Sequence, residues 1–434
     1  MPAPGRPSPP PSAPAEVSPG RGAVVAWCLY DWACSAFNTV VVTFVFATYF
    51  VRAVAADPVS GTAAWAAAQA SAGLVIALAA APLGAIADRG GRRRAFLGAC
   101  TVLMVLATAG LWFVRPQPGD ARLALALVAT ATVGFEIATV FYNAMLPELA
   151  RPARIGRISG LAWGLGYAGG ITALGLCLVL LIDPRPAPFG LAGVPAGAVR
   201  AATLFAAGWI ALFAWPVLVF GPTTSHRLGW GAALRQGLPA LWATLRTAAA
   251  DRRLRRFLVA RMLYTDGLTT LFAFGGIYAA GTFGMDTRQV LLLGIGLNVT
   301  AGIGALGFSL VQDRIGDRGT VLLAVGALVG LGTAVLLART AAAFLPLALG
   351  LGVFVGPAQA ASRSLMARLA PADARNAHFG LYALSGRVTG FVGPAALGAV
   401  TALSGSQRAG MAVIVVLLAA GGALLAATPM RAQG

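Results

Sequence analysis

The amino-acid sequence predicts an all-α polytopic membrane protein, with twelve transmembrane helices in two pseudo-symmetric six-helix bundles. Three observations carry that expectation. The chain is 58% hydrophobic and only 11% charged, with a mean hydropathy of +0.79, whereas a soluble domain carries about 25% charged residues. Its apolar runs are long enough to cross a bilayer, which takes about 20 residues per helix. Short motifs of the first half also return, in the same order, in the second.

The apolar spans fall at roughly 23–51, 62–87, 95–114, 121–144, 158–182, 200–220, 257–283, 288–311, 320–338, 341–366, 377–403 and 407–428. Residues 1–22 form a Pro-rich leader whose composition predicts disorder. It does not resemble a cleaved signal peptide, because the apolar run after Arg21 is too long and contains Asp31. Residues 23–220 and 257–428 are the expected bundles, and 429–434 a cytoplasmic tail. The 221–256 segment is a cytoplasmic linker with a short amphipathic helix near Ala232–Ala250 and a basic run, read as a lipid-facing anchor.

All 32 basic residues are Arg. With the N-terminus inside, 21 of them fall in inner segments and eight in outer loops. Positive-inside bias therefore places both termini in the cytoplasm and the chain in the cell inner (plasma) membrane. The net charge of +18 reports topology and bilayer contact, with no nucleic-acid partner expected. Without Lys, a Walker phosphate loop and a Schiff-base lysine are excluded from this chain. Cys28, Cys34, Cys100 and Cys177 lie in apolar spans without a Cys-x-x-Cys pair, so they read as small buried residues. No cofactor or metal is expected, and the chain reads as a monomer.

Span 1 opens with Trp27-Cys28-Leu29-Tyr30-Asp31-Trp32-Ala33-Cys34-Ser35. A lone acid in a span costs about 2.5–3.5 kcal/mol on insertion scales and faces a bundle interior or a water-filled cavity. Tyr30, Trp32 and Ser35 surround Asp31 with groups able to bind a ligand. The plainer alternative is a structural acid hydrogen-bonded to a neighbouring helix.

The loop after span 2 reads Gly84-x-x-x-Asp88-Arg89-x-Gly91-Arg92-Arg93, and the loop after span 8 reads Ser309-x-x-x-Asp313-Arg314-x-Gly316-Asp317-Arg318. Ser159-Gly160-Leu161 of span 5 matches Phe379-Gly380-Leu381 of span 11, and Leu29-Tyr30-Asp31 matches Leu263-Tyr264-Thr265-Asp266 of span 7. Such ordered repeats suit the duplicated six-span units of transporters. In the first loop, Gly84 permits close helix approach, Asp88 can cap a neighbouring helix start or pair with Arg, and the Arg cluster holds the cytoplasmic end. That set reads as a latch on one gate state, with positive-inside anchoring as the alternative.

This loop resembles the signature of the major facilitator superfamily, and its degenerate second copy fits the same family. A narrower resemblance spans most of residues 24–400. Tyr30-Asp31-Trp32-Ala33-x-Ser35-Ala36-Phe37, Tyr142-Asn143-Ala144-x-Leu146-Pro147-Glu148 and Ser159-Gly160-x-x-Trp163-x-x-Gly166-Tyr167-x-Gly169-Gly170 look like the autophagy-related vacuolar effluxer branch. Asp266-Gly267 and Gln359-Ala360-x-Ser362-Arg363-Ser364 match it too. The resemblance implies a major facilitator fold, a central cavity lined by spans 1, 4, 7 and 10, and export of amino acids or related metabolites. Cys34 departs from the branch's usual Asn, and Ala377 from its Glu, and both changes bear on substrate and coupling ion.

Other polar residues in spans complete the candidate site. Glu136, in mid-span 4, suits a proton carrier or a hydrogen-bonded structural carboxyl. Asp266 is placed beside Asp31 in the cavity by the repeat, and Arg387 in span 11 could hold a substrate carboxylate. Arg261 and Arg363 sit toward cytoplasmic ends, as snorkelling or gate-pairing residues, and His378 reads as a surface residue. The Gly160-x-x-x-Gly164 and Gly166-x-x-x-Gly170 spacings of span 5 read as helix packing, and Gly393-Pro394 as a bend in span 11. The function expected is a secondary active transporter moving a small solute by alternating access, coupled to a proton or sodium ion. A multidrug or bile-acid-like exporter is the alternative substrate class. A membrane enzyme is disfavoured because the chain has no Gly-x-Ser-x-Gly, no His-Glu-x-x-His and only two His, and a sensor because nothing in these residues resembles a signalling domain.

Overall fold

The computed structural model describes residues 20–182, 189–223, 228–285, 287–386, 389–390 and 392–428. The leader through residue 19 and the 429–434 tail lie outside the described residues, as does Arg387. What is described is almost entirely helical. Lipid demands this, since every backbone N–H and C=O in a span must be paired internally. Ten helices among the described residues are long and apolar enough to cross a membrane.

Span 1 runs Arg21–Val54, span 2 Pro58–Gly90, span 3 Arg93–Gly110, span 4 Ala121–Ala144, span 5 Ile155–Cys177 and span 6 Gly197–Phe220. In the second half, span 7 is Arg252–Phe283, span 8 Thr287–Ser309, span 9 Asp317–Leu337, span 10 Ala341–Leu369 and span 12 Gln407–Ala426. The linker folds as one helix, Trp230–Ala250, packed on span 2. Two expectations need correction here. The basic run Arg252, Arg253, Arg255 and Arg256, expected in the linker, forms the first turns of the span 7 helix, begun by the Asp251 carboxylate accepting the Arg253 N–H. Span 11 is not one bent helix but two pieces, Arg375–Ser385 and Val392–Ser404, parted just before the expected Gly393-Pro394 bend.

Packing falls into two sets. Span 1 lies on spans 5 and 6, span 3 on spans 4 and 6, and span 2 on span 4. In the second set, span 7 lies on span 12, span 9 on spans 10 and 12, and span 8 on span 10. Spans 8 and 10 meet span 5, and span 11 meets span 2, across the divide.

Arginines tie antiparallel neighbours within each set in matching ways. Arg94, beginning span 3, donates to the Leu218, Val219 and Gly221 carbonyls that end span 6. Arg318, beginning span 9, donates to Leu425 and Ala426 at the end of span 12. At the opposite face Arg200 donates to Trp112 O at 2.6 Å, and Arg408 to Ala338 O at 2.6 Å. The last carbonyls of a helix have no partner within it and carry its negative dipole end. A guanidinium answers both needs.

Span 1 carries one local irregularity. It is α-helical to Ala36, then winds in wider π turns over Phe37–Phe44 and again over Phe50–Val54. Thr39 Oγ1 in the first wide stretch donates across to Gly170 O of span 5 at 3.2 Å. Wide turns of this kind occur often at functional sites.

Candidate transport cavity and its latches

Spans 1, 4, 5, 7, 8, 10 and 11 surround a cavity of about 430 Å³ lined by both polar and apolar side chains. Arg363 of span 10, only 3% exposed, stands in its wall. One amino group of its guanidinium donates to Asp31 Oδ2 of span 1 at 2.9 Å, with Asn143 Oδ1 of span 4 at 3.5 Å. The remaining nitrogens donate to the Ser159 hydroxyl at 2.9 Å and the Ser159 carbonyl at 2.7 Å, on span 5. Ser159 in turn donates to Ala360 O at 2.8 Å, back on span 10. The guanidinium also lies 4.9 Å from the Trp27 ring, 5.7 Å from Tyr142 and 5.6 Å from Trp163. A buried charge needs both a counter-charge and filled hydrogen-bond sites, and a guanidinium can stack on rings while donating in its plane. One side chain therefore joins the two sets of helices.

Asp31 is 23% exposed and borders the cavity with Ser35 and Glu136. Tyr30 borders it too, with its ring stacked on Tyr142 and its hydroxyl 2.9 Å from Thr101 Oγ1. Tyr264 sits similarly in span 7, its hydroxyl 2.7 Å from Ser362 Oγ. Two of the expected residues are not on the wall. Trp32 turns away and stacks on Trp209 of span 6 at 5.7 Å. Asp266 is buried and accepts the Gly393 N–H at 2.8 Å, where the second piece of span 11 begins. One residue step turns a helix by about 100°. When the two tyrosines are aligned, Asp31 corresponds to Thr265, and Thr265 is the residue that faces the cavity.

Arg261, expected near a cytoplasmic end, also reaches the wall, donating to Tyr382 O at 2.6 Å and Ser385 Oγ at 2.7 Å. Its guanidinium lies 3.5 Å over the Tyr382 ring. His378 is buried, not surface, with Nδ1 2.8 Å from Ala374 O. In span 5, Gly160 and Gly164 pack on Ser309 and Leu306 of span 8, while Gly166, Gly169 and Gly170 pack on span 1. Sequence reasoning read Arg363 as a snorkelling or gate-pairing residue without naming Asp31 as its partner, and did not single out Asn38, Asn143, Trp163, Asn298, Gln359 or Tyr382 as site residues. The motifs around Tyr142-Asn143 and Gln359 to Ser364 were the available signal.

At the Arg-rich end two sets of contacts cross between the halves, at the loops expected to act as latches. Asp88 accepts the backbone N–H groups of Asn376 at 3.1 Å and Ala377 at 2.9 Å, and the Asn376 amide. It thus caps the first piece of span 11 from the other half. A Cβ on Gly84 would stand 2.5 Å from Asn376 O, so only glycine allows this approach. Asp313 does the reverse, accepting the N–H groups of Gly156 at 2.9 Å and Arg157 at 3.0 Å at the start of span 5. Gly91 and Gly316 turn the two loops with φ of 60° and 81°, a region glycine enters freely. Arg93 pairs with Glu148 at 2.7 Å, and Arg375 crosses the divide to the same carboxylate at 3.1 Å. Arg368 pairs with Asp317 at 2.6 Å and lies 3.6 Å from Asp313. Arg89 and Arg314 are exposed and take no part in these contacts among the described residues, and Arg92 is half-buried.

The profile of a family described as "Vacuole effluxer Atg22 like" matches residues 58–433. The chain belongs to that family. It is 28% identical over 420 residues to the uncharacterized MFS-type transporter YxiO of Bacillus subtilis, covering 93% of this chain and 94% of that one. It is 25% identical over 284 residues to autophagy-related protein 22 of Cryptococcus neoformans, covering 60% of this chain and 50% of the fungal protein. The chain thus spans about half the length of that fungal relative. Among solved structures, the outward conformation of the major facilitator FucP overlays with a TM-score of 0.68 at 14% identity, covering 96% of this chain and all of that one. The family member described here is therefore a multi-pass membrane protein of the major facilitator fold and an MFS-type transporter.

Proposed function

We propose that this transporter exports a small zwitterionic metabolite, an amino acid or a close relative, from the cytoplasm by alternating access. The observation that carries the reading is the Asp31–Arg363 ion pair, which spans the two helix sets at the wall of the cavity. Among the described wall residues the charged groups are Asp31, Glu136, Arg261 and Arg363, two of each sign. A neutral molecule bearing an ammonium and a carboxylate can exchange partners with such a pair. Its carboxylate takes the place of Asp31 on Arg363, and its ammonium takes the place of Arg363 on Asp31. No charge is left uncompensated, which matters because a buried charge stripped of its partner is costly.

Exchange at Arg363 loosens the tie between span 10 and span 1, while the two latches hold or release the Arg-rich end. With that end in the cytoplasm, the state described here faces outward. Glu136 supplies a carboxyl for a coupling proton, and the relatives described as effluxers support the outward direction. Reporter fusions at Gly434 and Gly231 test the orientation, and a periplasm-only reporter active at either would overturn it.

Counterflow in proteoliposomes tests the substrate. Purified protein is reconstituted in vesicles loaded with a mixture of amino acids, and entry of labelled amino acid is followed. Exchange that is lost in Arg363→Met supports the reading. No exchange of any amino acid by folded protein, with exchange of a cationic drug or a bile acid instead, would move it to the multidrug class.

A further inference from the structure

Asn38 of span 1, Thr265 of span 7, Asn298 of span 8 and Gln359 of span 10 line the same cavity. Asn38 is exposed and the other three half-buried, although all lie well within spans. Asn38, Thr265 and Gln359 have no hydrogen-bond partner among the described residues, and Asn298 spends only its amide nitrogen, on Gly294 O at 2.9 Å. Polar side chains at membrane depth are expensive, and those kept there face a bundle interior or a water-filled cavity, where they mark a substrate path. These four come from both helix sets, so they surround the cavity rather than decorate one helix. Their chemistry is uncharged, and the two amides can donate and accept at once.

Their placement gives them a direction. Gln359 stands one helical turn, about 6 Å along the axis, from Arg363, toward the end away from the latches. Asn38 stands roughly two turns from Asp31 on the same side, in the wide-turned stretch. A molecule whose charged groups sit on Asp31 and Arg363 therefore extends its side chain between amides and a hydroxyl.

Resting on the zwitterion reading above, we infer that the transported molecule carries an uncharged, hydrogen-bonding side chain, amide or hydroxyl, which Asn38, Thr265, Asn298 and Gln359 select. An aliphatic side chain would push water from these groups and give nothing back. Phe135 and Val140 of span 4 and Phe379 of span 11 offer apolar surface suited to the methylene stem of such a side chain.

Competition counterflow tests this, because it needs neither the direction of transport nor the coupling ion. Labelled L-glutamine entry is measured against unlabelled L-glutamine, L-asparagine and L-serine, and against L-leucine and L-valine. The polar set should compete at least about tenfold better, a modest share of the discrimination that a hydrogen-bonding site can reach. Gln359→Leu and Asn38→Leu should narrow that ratio at least about threefold while counterflow of the favoured amino acid remains measurable. Equal or better competition by L-leucine and L-valine in the unmodified protein would overturn the side-chain inference and leave the zwitterion reading standing. Failure of every amino acid to exchange would overturn both.

Discussion

The two halves of the molecule match at their ends and differ at their middle. At the Arg-rich end, Asp88 holds the start of span 11 and Asp313 holds the start of span 5, each reaching into the opposite half. Within each half, Arg94 and Arg318 close carbonyls at one end, and Arg200 and Arg408 at the other. At the wall of the cavity the correspondence fails. Asp31 has Thr265 as its counterpart, and the guanidinium that answers it comes from span 10. The ends perform a task each copy can perform alike, since any helix start offers free N–H groups and any helix end free carbonyls. The middle needs complementary charges, which two identical copies cannot supply.

The largest expected effect breaks the asymmetric part. Arg363→Met leaves Asp31 beside the cavity without its partner, and because Asp31 is 23% exposed the loss should fall below the about 3–5 kcal/mol of a fully buried pair. Thermal unfolding in detergent should show that loss, and counterflow should vanish. Adding Asp31→Asn to Arg363→Met should restore stability but not exchange. If exchange survives in either variant, the pair is only structural.

Asp31→Asn alone sharpens the role of the acid. As a ligand to a substrate ammonium, Asp31 should cost about ten- to a hundredfold in affinity when neutralised, about 1.4–2.8 kcal/mol, and at every pH. As a proton carrier, its loss should spare binding and counterflow but abolish accumulation against a gradient. We expect the first pattern. Normal binding and normal accumulation in a folded variant would remove Asp31 from the site altogether.

A third pair of variants asks whether the matched ends are equally tight. Gly84→Ala sets a methyl group against the Asn376 backbone, whereas Gly156→Ala meets the side-chain ends of Asp313 and Gln312. Backbone yields less than side chains. Overpacking costs about 1–3 kcal/mol, so Gly84→Ala should favour opening of the Arg-rich end, and Gly156→Ala should do so less. Spin-label distances across that end would record the order, and equal shifts would contradict it.

The smallest effect is expected from Asp88→Asn and Asp313→Asn, since one oxygen of each group remains to cap its helix start. Each turns the other oxygen into an amide donor that faces a backbone N–H, and removes a charge from a helix N-terminus worth about 0.3–1 kcal/mol and up to about 2 kcal/mol when partly buried. Both should shift the same distances toward opening, by similar amounts, and slow exchange between states. A response to only one of them would show that the second loop is a copy in sequence and not in function.

Much of this was legible before any coordinates. Apolar composition required helices, because lipid offers backbone groups no partner. The loop Gly84 to Arg93 and its echo at Ser309 to Arg318 pointed to the carboxylates that cap a helix start of the other half, since Gly for close approach and Asp for a helix start are local requirements. Asp31 stood out because an acid in an apolar run is expensive wherever it faces.

What the sequence could not decide depended on the angle of each side chain around its helix and on the partner brought up from far along the chain. The repeat suggested Asp266 for the cavity, yet the register of the two tyrosines puts Thr265 there and sends Asp266 to Gly393. Trp32 looked like part of a binding surface, but its position one step beyond Asp31 turns it onto Trp209. Arg363 lies near the end of its span in sequence and reads as a snorkelling or gate-pairing residue, with no partner named. Only packing of span 10 against span 5 and the end of span 4 brings it to Asp31, 332 residues away. Amphipathic period and end motifs are properties of a stretch of chain, whereas an ion pair between distant spans exists only once the helices have found one another.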